Sequence, residues 1–324
     1  MAVLVGIDEA GYGPILGPLV VSAAAFEIPD DLLTNSMWDV LRRSVCKKLA
    51  GNAGRLAIND SKKLHGGLGK YEHLQRAALT CLKTLTPHTP PPQTLGQLLA
   101  ALQADCLGTF PQYPWYNGRA AGWPLRYDSD SIAGSANALT GDLHDHQMRL
   151  LALWSCPLEV AQYNQMVEAV DNKASVLFSQ TSNLLFRAYQ QFGRQNLHIV
   201  IDKQGGRSHY RQNLQRLFPH LPLKILKEND TCSSYQMADA SHSFKVHFIV
   251  KGDDRQLPVA LASMVSKYVR ELFMELVNEY FHKHCPQLQP TAGYYTDGHR
   301  FLNDLKTLQL DPALYPLHLL LRQR

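Results

Sequence analysis

The stretch Val3-Leu-Val-Gly-Ile-Asp-Glu-Ala-Gly-Tyr-Gly-Pro-Ile-Leu-Gly-Pro-Leu-Val20 decides the architecture. Val3 to Ile7 is a short apolar run closed by a glycine-rich break, the pattern of a buried β-strand. Asp8 and Glu9 follow where that strand is expected to end. Neighbouring residues of a strand face opposite ways, so both carboxylates can serve one site only if the backbone turns there. Ala10-Gly11-Tyr12-Gly13-Pro14 supplies a turn, because glycine tolerates positive φ and proline fixes its own. Leu19 to Phe26 is a second apolar run, expected as the antiparallel neighbour. Charge that interrupts an apolar strand is costly unless it is partnered. Carboxylates beside open backbone amides suit a divalent metal ion that holds a phosphate. The plainer alternative for a lone acidic pair is a solvated strand end.

The chain has 324 residues, 45% of them hydrophobic, which suits a soluble globular protein with a sizeable core. A net charge of +4 is compatible with nucleic acid but too weak to argue for it alone. No apolar run is long enough to span a membrane. Met1 to Ile7 lacks the basic start and cleavage site of a signal peptide, so a cytoplasmic location is expected. The six cysteines (Cys46, Cys81, Cys106, Cys156, Cys232 and Cys285) form no C-x-x-C pair and are expected as reduced thiols.

Apolar spacing predicts helices over Asp30 to Ala50, Tyr71 to Leu85 and Leu95 to Leu107. Phe110 to Asp130 carries aromatic residues, prolines and glycines without a period. Residues from about 87 to 155 are therefore expected to be an insertion in a compact core. Its aromatics could stack on bases, or could pin an irregular loop to the body. Leu158 to Phe192 reads as helical with a break near Asp171-Asn172. Asn196 to Asp202, Leu223 to Leu226 and Val246 to Val250 read as strands, with Asp239 marking a turn or helix between the last two. Leu257 to Phe281 is expected as a long amphipathic helix, and residues 285–324 as a C-terminal helical segment. The fold class is α/β: a single domain, 1–324, with a mixed sheet flanked by helices.

Three of the expected strands end on acid: Asp8-Glu9, Asp202, and Lys251-Gly-Asp253-Asp254. In an α/β sheet such ends can converge in one crevice. Carboxylates crowded there would be relieved by two Mg²⁺ or Mn²⁺ ions, whose preferred ligands are oxygens.

Gly6-Ile-Asp-Glu-Ala-Gly-Tyr-Gly-Pro14 resembles the signature of ribonuclease HII, the type 2 ribonuclease H family, usually Gly-(Ile/Val)-Asp-Glu-(Ala/Val)-Gly-Arg-Gly-Pro. Tyr12 stands where that family has Arg. Asn59-Asp-Ser-Lys-Lys-Leu64 resembles its second block. Lys251-Gly-Asp253, followed by Ala262-Ser263 and Lys267, resembles its Lys-Gly-Asp block and the helix after it. Gly293-Tyr294 with His299 resembles its C-terminal Gly-Tyr block. The resemblance implies a ribonuclease H-like fold and a metal-dependent endoribonuclease. Such an enzyme hydrolyses the RNA strand of RNA–DNA hybrids, or ribonucleotides in duplex DNA, leaving 3′-hydroxyl and 5′-phosphate. Asp8, Glu9, Asp202 and Asp253 would hold two metal ions, with Asp254 as the fallback for Asp253. Gly11, Tyr12, Gly13, Lys62, Ser263, Lys267 and Tyr294 would bind substrate, although an exposed Lys62 and a salt-bridged Lys267 are the plainer alternatives. Hybrid or ribonucleotide-containing duplex would be the partner, with no membrane. A nucleic-acid-binding module of this fold with little activity, or a related nuclease acting on DNA structures, are the competing readings.

Overall fold

The computed structural model describes residues 1–49, 54–239 and 243–323. Its strands are β1 (Ala2–Ala10), β2 (Leu19–Ile28), β3 (Val45–Cys46), β4 (Leu56–Ala57), β5 (Arg149–Leu158), β6 (Asn196–Asp202), β7 (Leu223–Glu228), β8 (Cys232–Ala238) and β9 (Ser243–Ile249). Its α-helices begin with α1 (Met37–Val40), α2 (Ser61–Leu64), α3 (Glu72–Leu85), α4 (Leu95–Ala101), α5 (Ser129–Asp145) and α6 (Val160–Val170). They continue with α7 (Lys173–Phe192), α8 (Arg211–Leu217), α9 (Gly252–Arg255), α10 (Leu257–His284), α11 (Tyr295–Thr307) and α12 (Leu317–Leu320).

Seven strands form one mixed sheet in the order β5-β2-β1-β6-β9-β8-β7, flanked by helices as the sequence predicts. β1 pairs antiparallel with β2 and parallel with β6, and β6 pairs parallel with β9. The period of two along β1 divides its side chains cleanly. Ala2 and Leu4 join the core that contains α10, while Val3, Val5 and Ile7 join the core beneath α7. A strand apolar on both faces is what a sheet covered on both sides requires.

The helix α10 is buried on every side from Leu257 to Met274, so it is not amphipathic over that length. β1 and β2 lie against one side of it and α3 against another. Aromatic residues from the aperiodic segment close over it too: Phe110 and Tyr116 pack on Phe273 at 5.7 and 5.3 Å, and Trp115 stacks on Phe281. Phe110, Tyr113, Trp115 and Tyr116 are all buried, so they pin that segment to the body and are not base-stacking surfaces.

Several elements differ from expectation. The predicted helix from Asp30 is a 3₁₀ turn at Asp30–Leu32, the one-turn α1 and then β3; Ala50 lies outside the described residues. Leu95 starts a helix that stops at Ala101. The expected insertion contains α5, and β5 begins inside it at Arg149, pairing with β2 at the sheet edge. β8 was hidden between β7 and Asp239 because Cys232-Ser-Ser has little strand character. The break between α6 and α7 is where it was expected, with Asp171 in the left-handed region (φ 46°) and Asn172 capping α7. All six cysteines are free. Among the described residues no helix is long and apolar enough to cross a membrane.

Gly6 is the point of closest approach between sheet and helix. A Cβ there would lie 2.2 Å from Pro258 C and from Val259 N, both backbone atoms of α10. From this contact α10 runs along β1 as far as Ser266, whose Oγ donates to Asp8 O. Gly6→Ala is expected to cost on the order of 3 kcal/mol or more, because the helix backbone cannot yield as a side chain would. Gly13→Ala, with nothing within 4 Å of its Cβ, serves as the control. Urea denaturation of the pair checks this; equal midpoints would contradict it.

Candidate active site

A cavity of about 340 Å³ opens at the carboxyl ends of β1 and β6. Asp8, Glu9, Asp202 and Asp253 all line it, together with Gly11, Tyr12, Gly13, Lys62, Ser263, Lys267 and Tyr294. Every candidate site residue is therefore at one place. His299 is not at this wall; its ring packs on Tyr295 at 4.5 Å.

The strand does not end before the acids, as expected, but continues to Ala10, with Asp8 opposite Ser22 and Glu9 opposite Val21 on β2. Pairing with β6 stops at Ile7↔Ile201, so on that side the last turn of β1 is free and both carboxylates reach the cavity. Asp8 is 6% exposed, and its Oδ1 accepts from Glu9 N at 2.8 Å. Ser263 stands beside it in the cavity wall, donating to Ser61 Oγ at 3.1 Å, and Ser266 Oγ donates to the Asp8 backbone oxygen at 3.0 Å.

Asp253 does not end a strand. β9 stops at Ile249, Lys251 turns the chain in the left-handed region (φ 55°), and Asp253 stands on α9. Asp202 Oδ1 accepts from Gly252 N at 2.7 Å, which ties the end of β6 to α9. Asp254 ion-pairs with Lys63 and points away, so Asp253 is the inward-facing acid. A fifth carboxylate, Asp60, also lines the cavity and caps α2 by accepting from Lys62 N at 2.9 Å. Its position before Ser-Lys-Lys is an N-cap signal that could have singled it out.

Burial is the first cause of the shifts of Asp8, Glu9, Asp202 and Asp253, and neighbouring carboxylates add to it. Asp8 is pushed well above the usual carboxylate range by burial, then by Glu9 and Asp202. Glu9 rises to about 7 by burial and Asp202, against the pull of Lys62. Asp253 rises to about 6 by burial, Asp60 and Asp202. Burial also raises Asp202, although amides of Gly252 and Lys203 oppose it. Among the described residues no three His, Cys, Asp or Glu side chains are gathered into a ready-made metal cage. The donor set nevertheless fits a hard divalent cation: it is all carboxylate oxygen, and a cation would offset the mutual repulsion that adds to the shifts of Asp8, Glu9 and Asp253.

Lys267 lies in the cavity wall with its Nζ 2.5 Å from Glu271 Oε1 and 3.4 Å from the Tyr294 hydroxyl. Lys267 is thus a salt-bridged helix lysine that also faces the site. Lys62 is exposed at the cavity edge.

Two buried arginines that the sequence did not single out hold the glycine turn from behind. Gly11 (φ 91°) and Gly17 (φ 75°) adopt conformations that side-chain-bearing residues rarely take, and a Cβ on either would strike Arg270. Arg270, fully buried on α10, donates to Pro18 O at 3.1 Å, Leu16 O at 3.2 Å and Ala292 O at 2.9 Å. Arg322, past the end of α12, donates through Nε to Gly17 O at 2.7 Å and through Nη1 to Gly11 O. Arg322 N also bonds Ile15 O at 2.8 Å. Glu159, buried near both arginines, is raised to about 8 by burial against the charge of Arg322.

No family model matches this chain, and no curated protein matches it by sequence. Among solved structures it is similar to a chain of the PCNA–RNase HII complex from Archaeoglobus fulgidus, at 14% identity and TM-score 0.42, covering 99% of this chain and 94% of that one. It is similar to ribonuclease H2 from Pyrococcus horikoshii OT3, at 14% and 0.40, covering 96% and 91%. It is also similar to Bst-RNase HIII solved with Mn²⁺, at 13% and 0.43, covering 99% of this chain but 66% of that one. These are likenesses of fold; the chemistry of the cavity rests on its own residues.

The shifts of the acids set the sign of a pH effect on the metal-free protein. Glu9 has its folded pKa raised from 4.5 to about 7. Its contribution to stability is present below about pH 4.5 and is lost as pH rises through about 7. Added Mg²⁺ or Mn²⁺ should therefore raise Tm more at pH 8 than at pH 5, and Asp8→Asn should shrink that difference. An equal rise at both pH values would remove the acids as the metal site. Arg322→Met leaves the carbonyls of Gly11 and Gly17 without their donor and should cost about 1–3 kcal/mol in denaturant unfolding. An unchanged midpoint would show that the brace contributes nothing.

Proposed function

We propose that this protein is a divalent-metal-dependent endoribonuclease that hydrolyses the RNA strand of RNA–DNA hybrids, or ribonucleotides in duplex DNA, leaving 3′-hydroxyl and 5′-phosphate ends. One observation carries this reading. Four acids from three distant segments, Asp8-Glu9, Asp202 and Asp253, share a cavity with the glycine turn whose sequence resembles the ribonuclease HII signature.

Asp8, Glu9, Asp202 and Asp253 would hold the metal. Bound divalent ions stabilise charge on a phosphodiester and make water a competent nucleophile near neutral pH. The chain's own groups do the rest. Glu9 N holds the Asp8 carboxylate, and Gly252 N holds that of Asp202, so two of the acids are oriented before substrate arrives. The backbone at Gly11 and Gly13 reads the 2′-hydroxyl, the group that separates RNA from DNA. Its registration is kept by Arg270 and Arg322. Lys62 offsets the negative charge of Glu9 and Asp202 at the edge where a phosphate would enter. Tyr294, 45% exposed, gives a sugar an aromatic surface beside Lys267. Asp60 adds negative charge beside Asp253 and favours cation over anion at that end.

Three matched substrates test the reading: an RNA–DNA hybrid, a duplex with one ribonucleotide, and an all-DNA duplex, each with Mg²⁺ or Mn²⁺. The first two should be cut and the third left intact. Asp8→Asn and Asp253→Asn should each lower the rate by more than about 100-fold, since even outer-shell losses at metal sites cost 10–100-fold. Binding of all three without cleavage would favour the binding-module reading, and cutting of the all-DNA duplex would favour a DNA nuclease.

A further inference from the structure

We infer that Lys173 and Arg207, together with the Tyr12 ring, form a phosphate-binding rim beside the acidic cavity, over which the nucleic-acid backbone runs. The inference rests on the nuclease reading above and adds where the substrate backbone is held.

Tyr12 is the one aromatic residue of the glycine turn, and it lines the cavity half-buried. The Lys173 Nζ stands 5.2 Å from the centre of its ring. Lys173 is the first residue of α7 and is exposed. Arg207 comes from the turn that follows Asp202, the residue that ends β6. Its charge acts on the Tyr12 hydroxyl, and it acts on Tyr210 together with Glu9 and Asp202. Lys173 stands on Tyr12, and Arg207 follows Asp202 in the chain; Tyr12 and Asp202 both line the cavity, so the two cations come to its edge from two different elements.

What points to a ligand is two cations set against aromatic rings at the edge of an acidic cavity, each without a carboxylate partner. Among the described residues Lys173 and Arg207 have no ion-pair partner. The Arg207 guanidinium lies 5.6 Å from the Phe178 ring and 5.8 Å from the Tyr210 ring, and its Nη1 is buried without a hydrogen-bond partner. Aromatic packing fixes a guanidinium and leaves its in-plane N–H groups to bond an oxyanion. The end of α7 does not supply this site by itself, because Asn172 Oδ1 already accepts from Ala174 N and Ser175 N. The binding power is in the side chains.

The ligand is a backbone phosphate of a polymer. A small free anion would gain two cations but would stand beside a cavity of five carboxylates. A nucleic-acid strand is anchored at many phosphates at once and can lay one against the cations while its neighbour enters the cavity. The Tyr12 ring then supports the sugar or base between them, as an uncharged surface that neutralises no phosphate.

The test is binding of a fluorescent RNA–DNA hybrid to the metal-free full-length chain in EDTA across a KCl series. Lys173→Gln and Arg207→Gln should each weaken binding severalfold at low salt and lower the slope of log K against log[salt] by about 0.9, the value for one lost phosphate contact. Arg207→Lys should restore most of the slope, because it keeps the charge. Lys224→Gln, on the edge strand β7, should leave the slope unchanged. Lys173 is exposed, so its replacement does not confuse binding with folding. Wild-type binding with an unchanged slope in both Gln variants would overturn the rim while leaving the nuclease reading intact. A slope lowered equally by Lys224→Gln would also overturn it, because any surface charge would then serve. Failure of the wild-type chain to bind hybrid or duplex at all would overturn the nuclease reading itself.

Discussion

The backbone contact between α10 and β1 at Gly6 is the constraint on which the rest of the structure depends. Pro258 and Val259 occupy the space that any side chain at position 6 would need. With the two backbones that close, the side chains of α10 reach successive points of the chain that follows Gly6. Ser263 and Ser266 meet Asp8, and Arg270 meets the turn after it. Met274 lies against Gly17 one helical turn further on. These residues follow a spacing of three or four and so share one side of the helix. One helix face therefore sets the position of an acid, of its hydrogen-bond partners and of the adjoining turn. Aromatic residues from the segment between α4 and α5 complete the burial of this helix, which explains why a charged residue such as Arg270 can be fully enclosed.

That enclosure has an energetic consequence. A buried guanidinium is tolerated when carbonyl oxygens surround it, and the turn between β1 and β2 supplies them. The two requirements satisfy each other: the arginines need acceptors, and a turn with positive-φ glycines needs its carbonyls fixed. Arg322 brings the C-terminal segment into the same arrangement, with the Leu16–Leu321 bridge beside it. A turn near the start of the chain is thus completed by residues close to its end. Glu159 lies within reach of both charges.

On the other side of the turn the balance is reversed. Five carboxylates line one cavity, and burial with mutual repulsion raises Asp8, Glu9, Asp202 and Asp253. Such crowding works against folding stability and is characteristic of sites whose ligand is a cation. Cations stand around the cavity and not among the acids: Lys62 at the edge, Lys267 held by Glu271, and Lys173 and Arg207 beside Tyr12. An acidic centre with a basic surround is what a metal-dependent site for a polyanion requires.

Local sequence was enough for the α/β class, for β1, β2, β6 and β9, for the break at Asp171-Asn172, and for four of the acids that line the cavity. Apolar runs that stop at an acid or a glycine are local signals, and Asp8, Glu9, Asp202 and Asp253 each follow one. The order of the blocks placed Ser263, Lys267 and Tyr294 at the same wall. Tertiary structure decided the remainder. The stretch from Asp30 has helical spacing, yet packing makes it a 3₁₀ turn and a short strand. β5 lies in a segment without clear period, and it is a strand because β2 offers it an edge. Choosing between Asp253 and Asp254 needed the ion pair of Asp254 with Lys63, from 191 residues earlier in the chain. Arg270 and Arg322 carry no motif, because their partners are backbone carbonyls, which every residue has. Sequence marks the side chains that the cavity gathers, since each lies in a local pattern of runs and turns. Which groups hold them in place is settled only when the chain has closed on itself, because the holding is done by backbone atoms that sequence does not distinguish.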